Sequence, residues 1–277
     1  MAENNECTHE CESCGLDCEE NEAKNFNIFR AYLNKESSVK KVIGVVSGKG
    51  GVGKSMVTSL LAAQASKLGK KTAILDADIT GPSIPKAFGL NGKVEVEGEL
   101  LRPCTTKGGI DVMSLNLAID NESDPVVWRG PVIAGAVKQF WTDAIWDRED
   151  VMFVDMPPGT GDVTLTVFQS LPLAGVVVVS SPQELVGMIV EKAMKMANMM
   201  DVPVLALVEN MSYVKCPGCG EIIRPFGDSH LEALAKKYHI GLTAEMPIDP
   251  NLAKYVDEGR IEELEDNPLA DLASKLL

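Results

Sequence analysis

The sequence has 277 residues, 45% of them hydrophobic and 24% charged, which excludes a wholly disordered or fibrous chain and suffices for a large buried core. Against 26 Lys and Arg, 40 Asp and Glu leave a formal net charge of −14 that repels nucleic-acid phosphates and anionic lipid, so neither is expected as a partner. The polar start MAENNECTHE lacks the basic and apolar segments of an export signal, and the longest apolar run, near residues 171–179, is about half the ~18 needed to span a bilayer, so a soluble cytoplasmic protein is expected.

Residues 1–22 carry eight carboxylates, four cysteines and no Lys or Arg, too little apolar content for a core. Cys7, Cys11, Cys14 and Cys18 run C-x3-C-x2-C-x3-C, and clustered cysteines in a chain without an export signal point to metal or redox chemistry before disulfides. They are candidate ligands for an iron–sulfur cluster or zinc, with His9 a bystander. The surrounding carboxylates disfavour thiolate until a cation arrives, which makes such a site metal-dependent. A short helix is expected over 25–33, and Glu36, Ser37 and Ser38 read as a linker, so residues 1–37 form a tail and 38–277 the main domain.

From residue 41 onward, apolar β-branched runs alternate with helical periodicity. Strands are expected over 41–47, 71–77, 111–116, 151–155, 175–180, 203–209 and 241–246, with helices over 55–68 and 184–200. Continuous apolar strands separated by helices predict a doubly wound α/β domain with a mostly parallel sheet covered on both faces. VEVEGELLRP, residues 94–103, predicts a surface hairpin turning at Glu97-Gly98, with Cys104 just beyond it as a packing residue.

Between the first strand and first helix, Gly48-Lys49-Gly50-Gly51-Val52-Gly53-Lys54-Ser55 fits G-x-x-x-x-G-K-[ST], the phosphate-binding P-loop. Its glycines let backbone N–H groups turn toward phosphate, the helix N-terminus adds positive potential, Lys54 adds a charged contact, and Ser55 is a Mg²⁺ ligand. Asp155 ends an apolar strand before Met-Pro-Pro-Gly-Thr-Gly-Asp, where a carboxylate holds Mg²⁺ through water and a flexible loop answers to the γ-phosphate. Asp76 and Asp78 follow another strand at the sheet's carboxyl edge; the plainer reading of each is a turn or helix cap. Cys216-Pro217-Gly218-Cys219-Gly220 supplies two thiolates on a tight turn, which by itself fits a redox dithiol, half a zinc ribbon or half an iron–sulfur site. Four-ligand sites leave such a pair half built, and a two-fold axis would complete it.

The form GKGGVGKS resembles the deviant Walker A class, of the SIMIBI type, which includes MinD, ParA, the nitrogenase iron protein and the Mrp family. The resemblance implies that Lys49 contacts phosphate, often from the partner subunit, in a face-to-face homodimer. It also implies that Asp78 orients the attacking water, that Asp76 supports the metal, and that Asn210, in VENMS, reads the adenine edge. Five segments narrow the resemblance to the Mrp family: GKGGVGKS at 48–55, DxDxxGPS at 76–83, WRGP at 128–131, DxPPGTGD at 155–162 and CPxCG at 216–220. They imply a slow, Mg²⁺-dependent ATP hydrolase whose homodimer bridges a labile [4Fe-4S] cluster through Cys216 and Cys219 of both subunits and delivers it to apo iron–sulfur acceptor proteins. Two rivals remain, a nickel or cobalt insertion ATPase and a nucleotide-controlled binding module with structural zinc. MinD-like membrane recruitment needs a basic amphipathic helix, whereas residues 257–271 hold seven carboxylates and one arginine.

Overall fold

Runs rich in Val, Ile and Leu become strands because branched side chains pack well on a pleated surface buried on both sides. In the computed structural model, which describes residues 29–78, 81, 83–118, 130–183 and 188–277, the strands and helices follow in this order. They are β1 (Val42–Ser47), α1 (Lys54–Lys67), β2 (Thr72–Asp76), α2 (Ser83–Ala87), β3 (Glu95–Glu97), β4 (Leu100–Arg102), β5 (Cys104–Thr105), β6 (Asp111–Ser114) and α3 (Leu115–Ala118). Then come α4 (Gly130–Thr142), β7 (Val151–Asp155), α5 (Asp162–Ser170), β8 (Leu173–Ser180), α6 (Met188–Met199), β9 (Val204–Lys215) and β10 (Ile222–Ile223). The chain closes with α7 (Leu231–Lys237), β11 (Leu242–Pro247), α8 (Pro250–Asp257) and α9 (Ala270–Leu276). Cys7, Cys11, Cys14, Cys18, His9, Trp128 and residues 79, 80 and 82 of the DxDxxGPS segment lie outside the described residues.

Strands β6, β2, β7, β1, β8, β9 and β11 lie side by side and all pair in parallel, while β5 and β10 add antiparallel edges. This is the doubly wound α/β sheet. The two-residue side-chain period of a strand divides its apolar residues between two cores. Val42, Val46, Leu75, Val154, Val176 and Val178 pack with Val137, Phe168 and Met194 of α4, α5 and α6. Ile43, Val45, Ile74, Phe153, Val177 and Val179 pack with Leu60, Leu61 and Leu272 of α1 and α9. Strands β7 and β8 flank β1, although the chain visits β2 and β6 first; the order of winding therefore reverses at β1, and the loop after β1 opens at that switch point.

The strand expected over 111–116 stops at Ser114 and gives way to α3, the strand expected over 203–209 runs on to Lys215 so that Asn210 lies within it, and two further details differ from expectation. Residues 29–33, the described part of the expected helix over 25–33, are not helical. The Ala31 N–H donates to Ser170 O and its carbonyl accepts from Trp141 Nε1, so tertiary contacts hold the backbone open where a helix would turn it inward. Asn34 and Ser37 then reach the Ala144 carbonyl at 2.7 and 3.0 Å. The hairpin forms with β3 and β4 paired Glu97↔Leu100, so the two turn residues are Gly98 and Glu99, one place later than expected. Gly98, at φ 66°, takes the first turn position that a side chain disfavours.

At the amino ends of the strands Glu149 is fully buried, and neither carboxyl oxygen receives a hydrogen bond. Burial first, and then the Asp111 carboxylate, push its pKa up to about 7; the Lys71 ammonium 3.6 Å away offsets this only in part.

Candidate functional site

The loop between β1 and α1 turns through Gly51 and Gly53, both at φ 83°, a left-handed conformation that costs glycine little and other residues more. Helix α1 begins with no side-chain cap hydrogen bond and no acidic residue in its first turn, so its first amides and positive dipole end are left to an anion. A cavity of about 390 Å³ opens over this loop, with Lys49, Lys54, Ser55 and Asp78 in its wall.

Five predicted residues converge here. Asp76 and Asp155 are register partners at the ends of β2 and β7, so the two carboxylates emerge together at the sheet edge. Lys54 Nζ lies 2.9 Å from Asp155 Oδ2 and 3.3 Å from Asp78 Oδ2, and Ser55 Oγ donates to Asp155 Oδ2 at 2.6 Å. Burial by itself lowers the Lys54 pKa, but Asp155 and then Asp78 outweigh it and hold the ammonium above its ordinary value. Asp76, fully inside, is pushed well above the usual carboxylate range by burial and by Asp155, against the opposing pull of Ser114 and Lys54. It accepts from Ser114 Oγ at 2.8 Å and from the Asp78 N–H at 3.1 Å, which fixes the start of the loop that carries Asp78.

Two residues the sequence reading did not single out belong to the same set. Thr58 Oγ1 donates to Asp155 Oδ1 at 2.7 Å, so Asp155 has one oxygen on Ser55 and the other on Thr58. Its signal was its place one helical turn after Lys54, on the same face of α1. Ser114 ends β6 in register with Asp76, a pairing visible only once the strand order is known. The loop after β7 is tied to the P-loop strand by the Gly159 N–H, which donates to Ser47 O at 2.9 Å.

Asn210 sits behind the P-loop, its Nδ2 donating to Val52 O at 2.9 Å and its Oδ1 accepting from the Met211 N–H. The two helices that wall the cavity, α2 and α8, are followed by Gly89 and Gly259, and these meet backbone to backbone. A Cβ on Gly259 would lie 2.5 Å from Gly89 Cα, and one on Gly89 2.9 Å from Gly259 O.

Cys216 and Cys219 are not part of the carboxylate group. They stand on the turn between β9 and β10, beyond a bend at Met211, whose φ is 58°. Both are free thiols, Cys219 exposed and Cys216 half-buried. The N–H groups of Cys219 and Gly218 point at the Cys216 sulfur and hold its pKa below the ordinary thiol value, a geometry that favours the thiolate a metal requires. Among the described residues no group of three or more His, Cys, Asp or Glu is placed to hold a metal, and no helix is long and apolar enough to cross a membrane.

A family model described as ParA: NUBPL iron-transfer P-loop NTPase matches residues 38–277. A Clostridium perfringens protein named iron-sulfur cluster carrier protein is 46% identical over 244 residues, spanning 85% of this chain and 86% of its own. One from Methanocaldococcus jannaschii with the same name is 40% identical over 225 residues, 80% of this chain and 78% of its own. A solved nucleotide-binding protein from Archaeoglobus fulgidus, in complex with ADP and with Co found by PIXE, superposes with a TM-score of 0.75 at 47% identity, over 83% of this chain and 90% of its own. A MinC:MinD complex from Aquifex aeolicus, at 19% identity and a TM-score of 0.61 over 85% of this chain and 95% of its own, shares the fold.

Proposed function

Because the chain belongs to the iron–sulfur cluster carrier P-loop NTPases of the NUBPL iron-transfer family, we propose that it is an ATP-dependent carrier that holds a labile [4Fe-4S] cluster between two copies of itself and passes it to apo acceptor proteins. The observation that carries this reading is the pairing, on one chain, of a phosphate-binding loop with an outward-facing dithiol whose backbone donors favour thiolate. Two thiolates are half of a four-ligand set, and a copy related by a two-fold axis supplies the other half. Free thiols suit the reducing cytoplasm. In the tail, Cys7, Cys11, Cys14 and Cys18 are candidates for a second cluster.

The nucleotide half of the proposal is ATP hydrolysis. The loop amides and Lys54 bind phosphate, Lys49, in the cavity wall, adds a second charged contact across the two-fold axis, and Asn210, which braces the loop at Val52 O, takes the adenine edge. Ser55 and Asp155, with oxygens 2.6 Å apart beside a surplus of carboxylate, fit Mg²⁺ and would hold it, with Asp76 supporting from behind. Mg²⁺, when bound, neutralises charge on the β- and γ-phosphate oxygens. Asp78, in the cavity wall, orients the water that attacks the γ-phosphate.

A second reading, a divalent metal held by the same thiols for insertion elsewhere or as a structural site, is favoured by the cobalt in the Archaeoglobus fulgidus relative. One experiment separates the two. The full chain, with Cys7, Cys11, Cys14 and Cys18 replaced by Ser, is purified anaerobically with and without Cys216→Ser and Cys219→Ser. The carrier reading expects about four iron and four sulfide per dimer, lost in the double variant. Colourless protein with zinc or cobalt in their place, or iron retained in the double variant, would refute it.

A further inference from the structure

Strand β9 carries Asn210 against the P-loop and, six residues later, Cys216 on the thiol turn. Between them lies a polar group that neither site accounts for. Glu209 and Ser212 are fully buried; Ser212 Oγ stands 2.5 Å from Glu209 Oε1 and 3.0 Å from Glu245 Oε2, and Glu209 Oε2 has no hydrogen-bond partner. Arg224, immediately after β10, donates from Nη1 to Ser212 Oγ at 3.0 Å and to Glu245 Oε2 at 2.8 Å. Ser212 has one proton for two carboxylates, so it accepts from the guanidinium while donating to one of them. Two carboxylates and a single guanidinium at the edge of the core make an arrangement that stands only while Arg224 stays in place.

The position of this group is what gives it meaning. Glu245 lies on β11 opposite Glu209, so Arg224 fastens the thiol hairpin to both β9 and β11. Past β11, the Ile248 N–H donates to Tyr213 O, and α8 follows at once, capped by Asp249. The first turn of α8 borders a groove of about 720 Å³ that also contains Cys216, while its last turn places Val256 in the wall of the nucleotide cavity. The hairpin is therefore linked to the cavity along two routes, through β9 to Asn210 and through α8 to Val256, and the Arg224 contacts join them.

We propose that Arg224, held by Glu245 and Ser212 against Glu209, is a positioning residue through which occupancy of the nucleotide cavity is transmitted to Cys216 and Cys219. Nucleotide that engages Asn210 or moves α8 shifts β9 against β11, and Arg224, bonded across both, carries the hairpin with it. Coupling of this kind requires an element whose arrangement both sites bias, and the guanidinium bridge is bonded to both strands along which the two sites connect. The inference rests on the proposed link between nucleotide and thiols.

The test needs no iron, so it can fail while the metal analysis succeeds, and the reverse. Full-length, metal-free protein is alkylated anaerobically with iodoacetamide, with and without saturating Mg-ATP or Mg-ADP, and rates at Cys216 and Cys219 are read peptide by peptide by mass spectrometry. Wild type is expected to change its rate at one or both cysteines by at least about fivefold on nucleotide binding, the low end of ordinary coupling. Arg224→Gln is expected to lose that response while its ATP Kd stays within about twofold, and Arg224→Lys, which keeps the charge without the planar fork, to recover part of it. A residue serving stability alone would lower the melting temperature and leave the nucleotide response intact. Should Arg224→Gln not fold, Glu245→Gln, which removes the charge that holds the guanidinium, is expected to lose the response in its place. A full-sized response in the variants, or none in wild type, overturns the proposal.

Discussion

Replacing Glu149 by Gln should remove a defined part of the protein's pH dependence. The carboxyl is fully buried before β7, receives no hydrogen bond at either oxygen and is pushed from its ordinary 4.5 up to about 7 by burial and then by Asp111. With the folded value above the unfolded one, the native chain holds this proton more tightly across the interval between them. The resulting stability is fully present below pH ~4.5 and is lost as pH rises through about 7. The difference between the two values is worth about 3 kcal/mol, or about 6 °C in Tm for a domain of this size. Gln keeps the shape and never ionises, so above pH 7 the variant should be the more stable protein by most of that amount, and the two should converge as pH falls to about 4.5 and below. Urea melts at half-unit steps from pH 4.5 to 8.5, taken as variant minus wild type, cancel the groups that do not interact with Glu149 and leave its own transition together with its influence on Asp111 and Lys71. A difference curve that is flat across this range, or that rises toward acid, would refute the argument. Asp111→Asn should move the midpoint of the curve downward by relieving the like charge.

Two further outcomes bear on the nucleotide cavity. Lys54→Ala should abolish ATP binding measured by calorimetry with Mg²⁺, since it removes a charge-assisted phosphate contact and leaves Asp155 and Asp78 without their ammonium; near-normal affinity would discard the phosphate site. Asp78→Ala should lower kcat by at least about tenfold while Kd for ATP changes by less than about threefold, as expected of a group that acts on the water and not on the phosphate. An unchanged kcat would remove Asp78 from the mechanism.

The sequence disclosed the elements that depend on neighbours along the chain. The Val-rich runs of β1, β7 and β8 announce strands buried on both faces, and the glycines and Lys54 of the first loop announce a phosphate cradle with its flanking strand and helix. It did not disclose contacts made by residues far apart. Ser55 and Thr58 meet Asp155 across about a hundred residues, and Ser114 meets Asp76 only because β6 lies beside β2. The same holds for Glu209, Ser212, Arg224 and Glu245, each an unremarkable surface-type residue until β11 is laid against β9. The expected helix over 25–33 fails in its described part for the same reason, because Trp141 and Ser170 take the backbone groups of Ala31 that a helix would use itself.

The meeting of Gly89 and Gly259 bears on which sequences this cavity can tolerate. Each position is closed to a side chain by the main chain of the other, and both sit at positive φ, so no rotamer adjustment relieves the clash. A methyl on either one would wedge the two walls apart, and shrinking the opposite residue cannot compensate, because it is already the smallest there is. In a saturation library scored for nucleotide affinity, these two sites should therefore behave as a single forbidden pair without rescuing partners.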